Sequence, residues 1–193
     1  ILHATSVNAD VINMSLGAFF PKNLPGAGQL VAALNRATNF ANRNGVLVVA
    51  SAGNGAVNLD KDRNFTHVPS QSANVLSVGA TGPFQQANFD QLAFYTNFGV
   101  SGVDVMAPGG NFQFGGVNRD GIRSVCSTFS LVFFPFCTNF PFLNLVGGNG
   151  TSFSAPHATG TAAVVKSDFP NKNPAQLEHY IFKGADDLGK KGT

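Results

Sequence analysis

Gly150-Thr151-Ser152-Phe153-Ser154-Ala155-Pro156-His157-Ala158-Thr159-Gly160 is the stretch on which the reading of this chain turns. A turn of small residues presents one hydroxyl, that of Ser152, at the mouth of a helix expected to run from about Ser152 to Ser167. Gly150 lets the backbone turn sharply and leaves room for a substrate chain. The helix N-terminus offers unpaired amides and a partial positive charge to a developing anion. Ala155, Ala158, Gly160, Ala162 and Ala163 let the helix approach its neighbours closely, which would hold the hydroxyl in place. A serine opening a helix is by itself usually just a cap; the eleven-residue context makes this one a candidate nucleophile.

Working outward, apolar strands alternate with amphipathic helices, the pattern of a parallel sheet with helices on its faces. Strands are expected at Asp10 to Leu16, Val46 to Ala52, Val75 to Ala80 and Val103 to Ala107. The second is apolar almost throughout, as expected of a central strand covered on both sides. Between the first two, Gln29 to Asn44 places Leu30, Leu34, Ala37 and Ala41 on one helical stripe, ended by Asn44-Gly45. A last helix starts where Asn173 can cap and Pro174 occupies the first turn, with Leu177, Tyr180 and Ile181 on one face.

Several further segments fall into place beside the serine motif. Asp10-Val11-Ile12-Asn13-Met14-Ser15-Leu16-Gly17, Gly45 to Asn54, Val68 to Thr81 and Phe98 to Gly110, taken with GTSFSAPHATG, resemble in order and spacing the landmarks of the subtilisin-like serine proteases, or subtilases. The resemblance covers nearly the whole chain and is weakest from about Asn111 to Leu145. It implies an α/β fold with a mostly parallel central sheet flanked by helices, the N-terminal part of the domain lying outside this sequence. Residues 1–193 would then be a partial catalytic domain. Ile1 opens abruptly inside what reads as a helix or its exit, which agrees with that expectation.

Carried over by motif, Ser152 resembles the nucleophile of an endopeptidase that cleaves polypeptides through an acyl-enzyme. Asn54 resembles the amide donor of the oxyanion hole, with the Ser152 backbone N–H as second donor and Thr151 as support. An uncharged amide at the end of a buried strand suits that task, because it can face a developing negative charge without titrating. Ser15, Leu16 and Gly17 look like the edge against which a substrate pairs, and Ser51, Ala52 and Gly53 like one wall of the pocket beside the scissile bond. In the family the order is Asp, His, Ser. The Asp and His motifs precede the Ser15-Leu16-Gly17 segment, and neither occurs here. The chain alone is therefore expected to be inactive, with an N-terminal segment of the same protease domain supplying both groups. His157 reads as structural, His67 as a loop residue, and His3 and His179 as unsuited to replace the missing base. A non-catalytic homologue acting as a scaffold is the alternative. An α/β-hydrolase esterase fits badly because Ser154 replaces the second glycine of G-x-S-x-G. A dinucleotide site fits badly because Asn58 stands where a third glycine is needed after Gly53-Asn54-Gly55.

Composition narrows the partners. Charged residues are 11% of the chain and the formal charge is +2, so no basic stripe exists to neutralise phosphates and nucleic acid is not expected. The 20 asparagines must wet much of the surface instead. The longest apolar run, Leu131 to Leu143, is broken by Pro135 and Pro141, so no membrane span is expected. Export is the expected localisation, with a propeptide as a further partner by resemblance. Structural calcium is compatible with the family, although no ligand set can be named and no metal is needed for the chemistry. Of three Asn-x-Ser/Thr matches, at Asn13, Asn64 and Asn149, only Asn64 lies outside motifs expected to be buried.

Cys126 and Cys137 enclose part of a Phe-rich insertion spanning about 126–143. Either they form a disulfide, favoured because the flanking segments read as strands that return alongside one another, or they are two buried thiols. The phenylalanines read as a hairpin arm folded onto the body in preference to a hydrophobic lip beside the cleft.

Overall fold

The computed structural model describes residues 1–113, 118–125, 138–140 and 143–188. Four parallel strands make the central sheet: β1 (Val11–Met14), β3 (Leu47–Ser51), β5 (Val75–Thr81) and β6 (Val105–Pro108), in the order β1-β3-β5-β6. All pairs are parallel, with Val11 opposite Leu47, Val48 opposite Val75 and Val78 opposite Val105. Every residue of β3 and β5 is buried. Alternation along β3 explains why both sides are apolar. Leu47 and Val49 face a core shared with Leu76, Val78, Ala155, Ala158, Ala162, Leu177 and Ile181, whereas Val48 and Ala50 face one shared with Val46, Val75 and Ala41.

Helix α3 (Thr151–Asp168) crosses one face and packs against all four strands, and α4 (Pro174–Gly184) packs on α3 and β3. Asn173 caps α4 as expected, accepting from Gln176 N–H at 3.0 Å while the Gln176 side chain accepts from Asn173 N–H at 3.1 Å. Of its expected face, Leu177 and Ile181 are buried; Tyr180 stacks on Phe169 with ring centroids 4.8 Å apart.

Across the sheet lies α2 (Ala27–Arg43), preceded by the short α1 (Leu2–Ser6). Its stripe is only partly used: Ala41 is buried and Leu34 and Ala37 are half-buried, but Leu30, expected in the core, is 57% exposed. The reason is length. Seventeen helical residues span about 25 Å and a five-residue strand about 17 Å, so the first turns of α2 run past the sheet. The helix ends at Asn44, and Gly45 takes the left-handed φ of 83° that the Asn-Gly pair predicts.

Two smaller sheets complete the fold. β2 (Ala18–Pro21) pairs antiparallel with β4 (Phe65–Val68), a ribbon that sequence patterning does not reveal. β7 (Ile122–Val125), β8 (Thr138–Phe140) and β9 (Leu143–Gly148) form an antiparallel sheet in the order β7-β9-β8. The segments flanking Cys126 and Cys137 are therefore strands, as expected, but β9 lies between them. The proposed Cys126–Cys137 bond and most of the Phe-rich insertion lie outside the described residues.

Asp104, just before β6, and Glu178 on α4 are close enough for the charge of one to act on the other. Asp104 accepts from Ser77 N–H at 2.7 Å, yet burial pushes its carboxyl above the ordinary range. Glu178 is pushed up by its own burial and then by the Asp104 charge. With folded-state values raised, the charged pair opposes folding once both are ionised, and that opposition vanishes as pH falls toward the ordinary glutamate value of 4.5. Glu178→Gln is accordingly expected to raise the melting temperature at pH 7 by about 1–3 °C after solvent screening. Melting at pH 4 should show no gain.

Candidate active site

The carboxyl ends of the parallel strands meet the N-terminus of α3, where ligands of open α/β sheets bind. β1 delivers Ser15, Leu16 and Gly17. β3 delivers Ser51 and, just past its end, Ala52, Gly53 and Asn54. β6 leads into Gly109 and Gly110, and Gly109 O accepts from Gly150 N–H at 2.9 Å, fixing the turn before Ser152. Thr151 and Ser152 open α3 beside these strand ends.

Geometry around Gly150 is the informative part. A methyl group built on its Cα would lie 2.9 Å from Ser152 Oγ, 3.5 Å from Asn54 Nδ2 and 3.6 Å from Ser152 N. One point in space, left open because residue 150 has no side chain, is thus ringed by a hydroxyl, a side-chain amide and a backbone N–H. The Ser152 N–H belongs to the first turn of α3, whose amides have no partner within the helix.

Asn54 is held for this orientation from behind. Its Oδ1 accepts from Thr151 N–H at 2.9 Å and from the Thr151 hydroxyl at 2.8 Å, which leaves Nδ2 turned toward the open point. Thr151 is buried, and its hydroxyl oxygen also accepts from Gly53 N–H at 3.1 Å. Its support for the site therefore runs through Asn54 and Gly53. The Ser15 hydroxyl donates to Ser152 O at 2.8 Å, tying the end of β1 to the start of α3. Ser51 Oγ lies 3.5 Å from Leu16 O, a long contact that links the two expected substrate walls.

Two residues that sequence reading passed over support this arrangement. Asn97, buried, accepts through Oδ1 from Gly55 N–H at 3.0 Å and Val57 N–H at 3.1 Å, and donates through Nδ2 to Ala52 O at 2.8 Å. It staples the loop on which Asn54 sits. Tyr95 places its hydroxyl 2.8 Å from both Gly109 O and Gly110 O, beneath the turn that precedes Ser152. Burial pushes its phenol up to about 12, so it stays a neutral donor throughout the working range. The only sequence signal was a polar pair set among aromatics, Phe94-Tyr95-Thr96-Asn97-Phe98.

The histidines lie as expected with one exception. His157 Nδ1 lies 2.7 Å from Phe153 O on its own helix, and His179 meets the edge of Tyr180. His67, read as a loop residue, belongs to β4 and pairs with Asp62 at 2.8 Å. No group of three or more His, Cys, Asp or Glu side chains that could hold a metal occurs among the described residues.

Gly150→Ala provides a test of the open point. The added methyl would stand within contact of all three converging atoms and displace whatever they bind, so a loss of at least about 10²-fold in kcat is expected in the complete domain. Steady-state kinetics against the parent enzyme would measure it.

This chain belongs to the subtilase family, whose model matches residues 1–193. It is 31% identical over 179 residues to Subtilisin BL of Lederbergia lenta, covering 93% of this chain and 50% of that protein. It is 33% identical over 171 residues to an extracellular protease of Xanthomonas campestris pv. campestris, covering 88% of this chain and 23% of that one. A solved lanthipeptide protease superposes with a TM-score of 0.84 at 31% identity, covering 99% of this chain and 58% of its own. The chain thus spans about half the length, or less, of the curated relatives it matches.

Proposed function

We propose that this chain is the nucleophile-bearing part of a serine endopeptidase acting on polypeptides. The observation that carries the reading is the convergence of Ser152 Oγ, Asn54 Nδ2 and Ser152 N on one open point beside Gly150. In the complete domain, a histidine outside this chain takes the Ser152 proton as Oγ attacks the scissile carbonyl, and an aspartate outside this chain orients that histidine. The carbonyl oxygen becomes an anion and accepts from Asn54 Nδ2 and Ser152 N–H, donors fixed before the reaction begins. Collapse of the adduct expels the amine, protonated by the histidine, and leaves an acyl group on Ser152. Water then hydrolyses the ester by the reverse proton route. Polypeptide substrates are supported by the small, backbone-accessible residues Ser15 to Gly17 and Ser51 to Gly53, and by the protease relatives. Secretion is supported by the extracellular Xanthomonas relative, and no described helix is long and apolar enough to cross a membrane. A propeptide partner rests on family resemblance alone.

A fluorophosphonate probe tests the proposal. The complete domain should be labelled rapidly at Ser152, located by peptide mass mapping, and the isolated chain should not. A complete domain that failed to react would leave the scaffold reading in possession.

A further inference from the structure

We propose that Asn54-Gly55 is a site of deamidation lying within the proposed oxyanion hole, and that Asn97 is the positioning residue that holds the reaction off. Three Asn-Gly pairs occur in the chain, beginning at Asn44, Asn54 and Asn149. In such a pair the asparagine side chain is open to attack by the next backbone nitrogen, because glycine has no Cβ to crowd the approach. Gly55 N gives up its proton to solvent base and bonds to Asn54 Cγ. The Cγ–Nδ2 bond breaks, and Nδ2 takes up a proton and leaves as ammonia. Water then adds to one carbonyl of the imide ring, the ring C–N bond at that carbonyl breaks, and residue 54 emerges as aspartate or isoaspartate. Water is the only co-reactant.

One half of the site favours this step. Asn54 is exposed, so water and base reach it. Its Oδ1 accepts from Thr151 N–H at 2.9 Å and from the Thr151 hydroxyl at 2.8 Å. Those two donors polarise the Cγ carbonyl and would stabilise the negative oxygen that forms there as Gly55 N adds. The other half is restrained. Gly55 N–H donates to Asn97 Oδ1 at 3.0 Å, an acceptor that also takes Val57 N–H at 3.1 Å. Asn97 is itself fixed, being 2% exposed and donating through Nδ2 to Ala52 O at 2.8 Å. To attack, Gly55 N must abandon a hydrogen bond to a buried acceptor and turn toward Cγ.

The kind of restraint sets Asn54 apart from the other two pairs. Gly45 N–H donates to Asn42 O at 3.0 Å and Gly150 N–H to Gly109 O at 2.9 Å, both main-chain acceptors. At Gly55 the acceptor is a side chain 42 positions away in sequence. A substitution at residue 97 can therefore release one pair and leave the others as they are. The chemistry stands without any functional assignment, but its consequence rests on the protease reading: deamidation puts a carboxylate oxygen where the Nδ2 donor stood and disarms the oxyanion hole.

The experiment ages the full-length protein carrying Ser152→Ala, which prevents self-digestion, at mildly alkaline pH and follows amide-to-acid conversion at each asparagine by peptide mass mapping. Asn97→Ala should speed conversion at Asn54 about five- to tenfold, the equivalent of one lost hydrogen bond, and leave Asn44 and Asn149 unchanged. Asn97→Asp keeps an acceptor for Gly55 N–H while losing the donor to Ala52 O, so it should stay near the parent rate. An unchanged Asn54 in the alanine variant, a rise shared by all three sites, or an aspartate variant as fast as alanine overturns the proposal. Should the alanine variant not fold, the parent decides: conversion at Asn54 should be at least about fivefold slower in the native protein than in urea, and equal rates overturn the restraint. With Ser152 restored, turnover should decay in step with conversion at Asn54. Conversion with turnover intact sinks the oxyanion role of Asn54 alone, and normal fluorophosphonate labelling with no effect of residue 97 sinks the restraint alone.

Discussion

Ser152→Ala in the complete domain is expected to lower kcat by about 10⁶-fold, a scale set by subtilisin, a relative of this chain. KM should change little and fluorophosphonate labelling should disappear. In the proposed mechanism Ser152 Oγ, one of the three atoms around the open point, forms and breaks the acyl bond, so no neighbour would take over its part. The same variant should keep its fold: the Ser15 hydroxyl donates to the backbone carbonyl of residue 152, a bond that survives truncation of the side chain. A Ser152→Ala enzyme that retained a percent of wild-type turnover after repurification would place the chemistry elsewhere.

Removing the proposed Asn54 donor should rank second, with a loss in kcat of about 10²–10³-fold, the magnitude known for the subtilisin amide that Asn54 resembles. The informative comparison is between two substitutions. Asn54→Ala deletes the Nδ2 donor and also the Oδ1 that Thr151 bonds through its N–H and hydroxyl. Asn54→Asp keeps that acceptor and puts a negatively charged oxygen where the donor stood, directly against a developing oxyanion. If the amide acts on the transition state, Asp should be the slower enzyme although it is the better structural mimic. A purely structural Asn54 would reverse the order, with Asp near wild type and Ala impaired.

What was legible in the sequence follows from the range of the interactions involved. The turn before α3 could be read because its requirements are local: a residue without a side chain at 150, a hydroxyl at 152, small residues along the helix. β3 and β5 could be read because burial on both faces leaves an uninterrupted apolar run. Asn97 and Tyr95 could not, since their work is done across 14 to 45 positions of sequence and nothing nearby states which carbonyl or amide they will reach. The β2–β4 ribbon was hidden for another reason. Each strand is four residues long, one ends in proline, and the two are separated by α2 and β3, so neither periodicity nor a short turn announces them. Leu30 was misplaced because a helical stripe tells which side faces inward but not where the sheet beneath it stops.

The helix that carries Ser152 meets the sheet through Ala155, Ala158 and Ala162, all buried. Alanine has no rotamers to freeze on folding, whereas long side chains in the same seam would each surrender up to about 2 kcal/mol of conformational entropy. The helix that presents the Ser152 hydroxyl is therefore seated on the sheet with almost no loss of side-chain entropy along this seam.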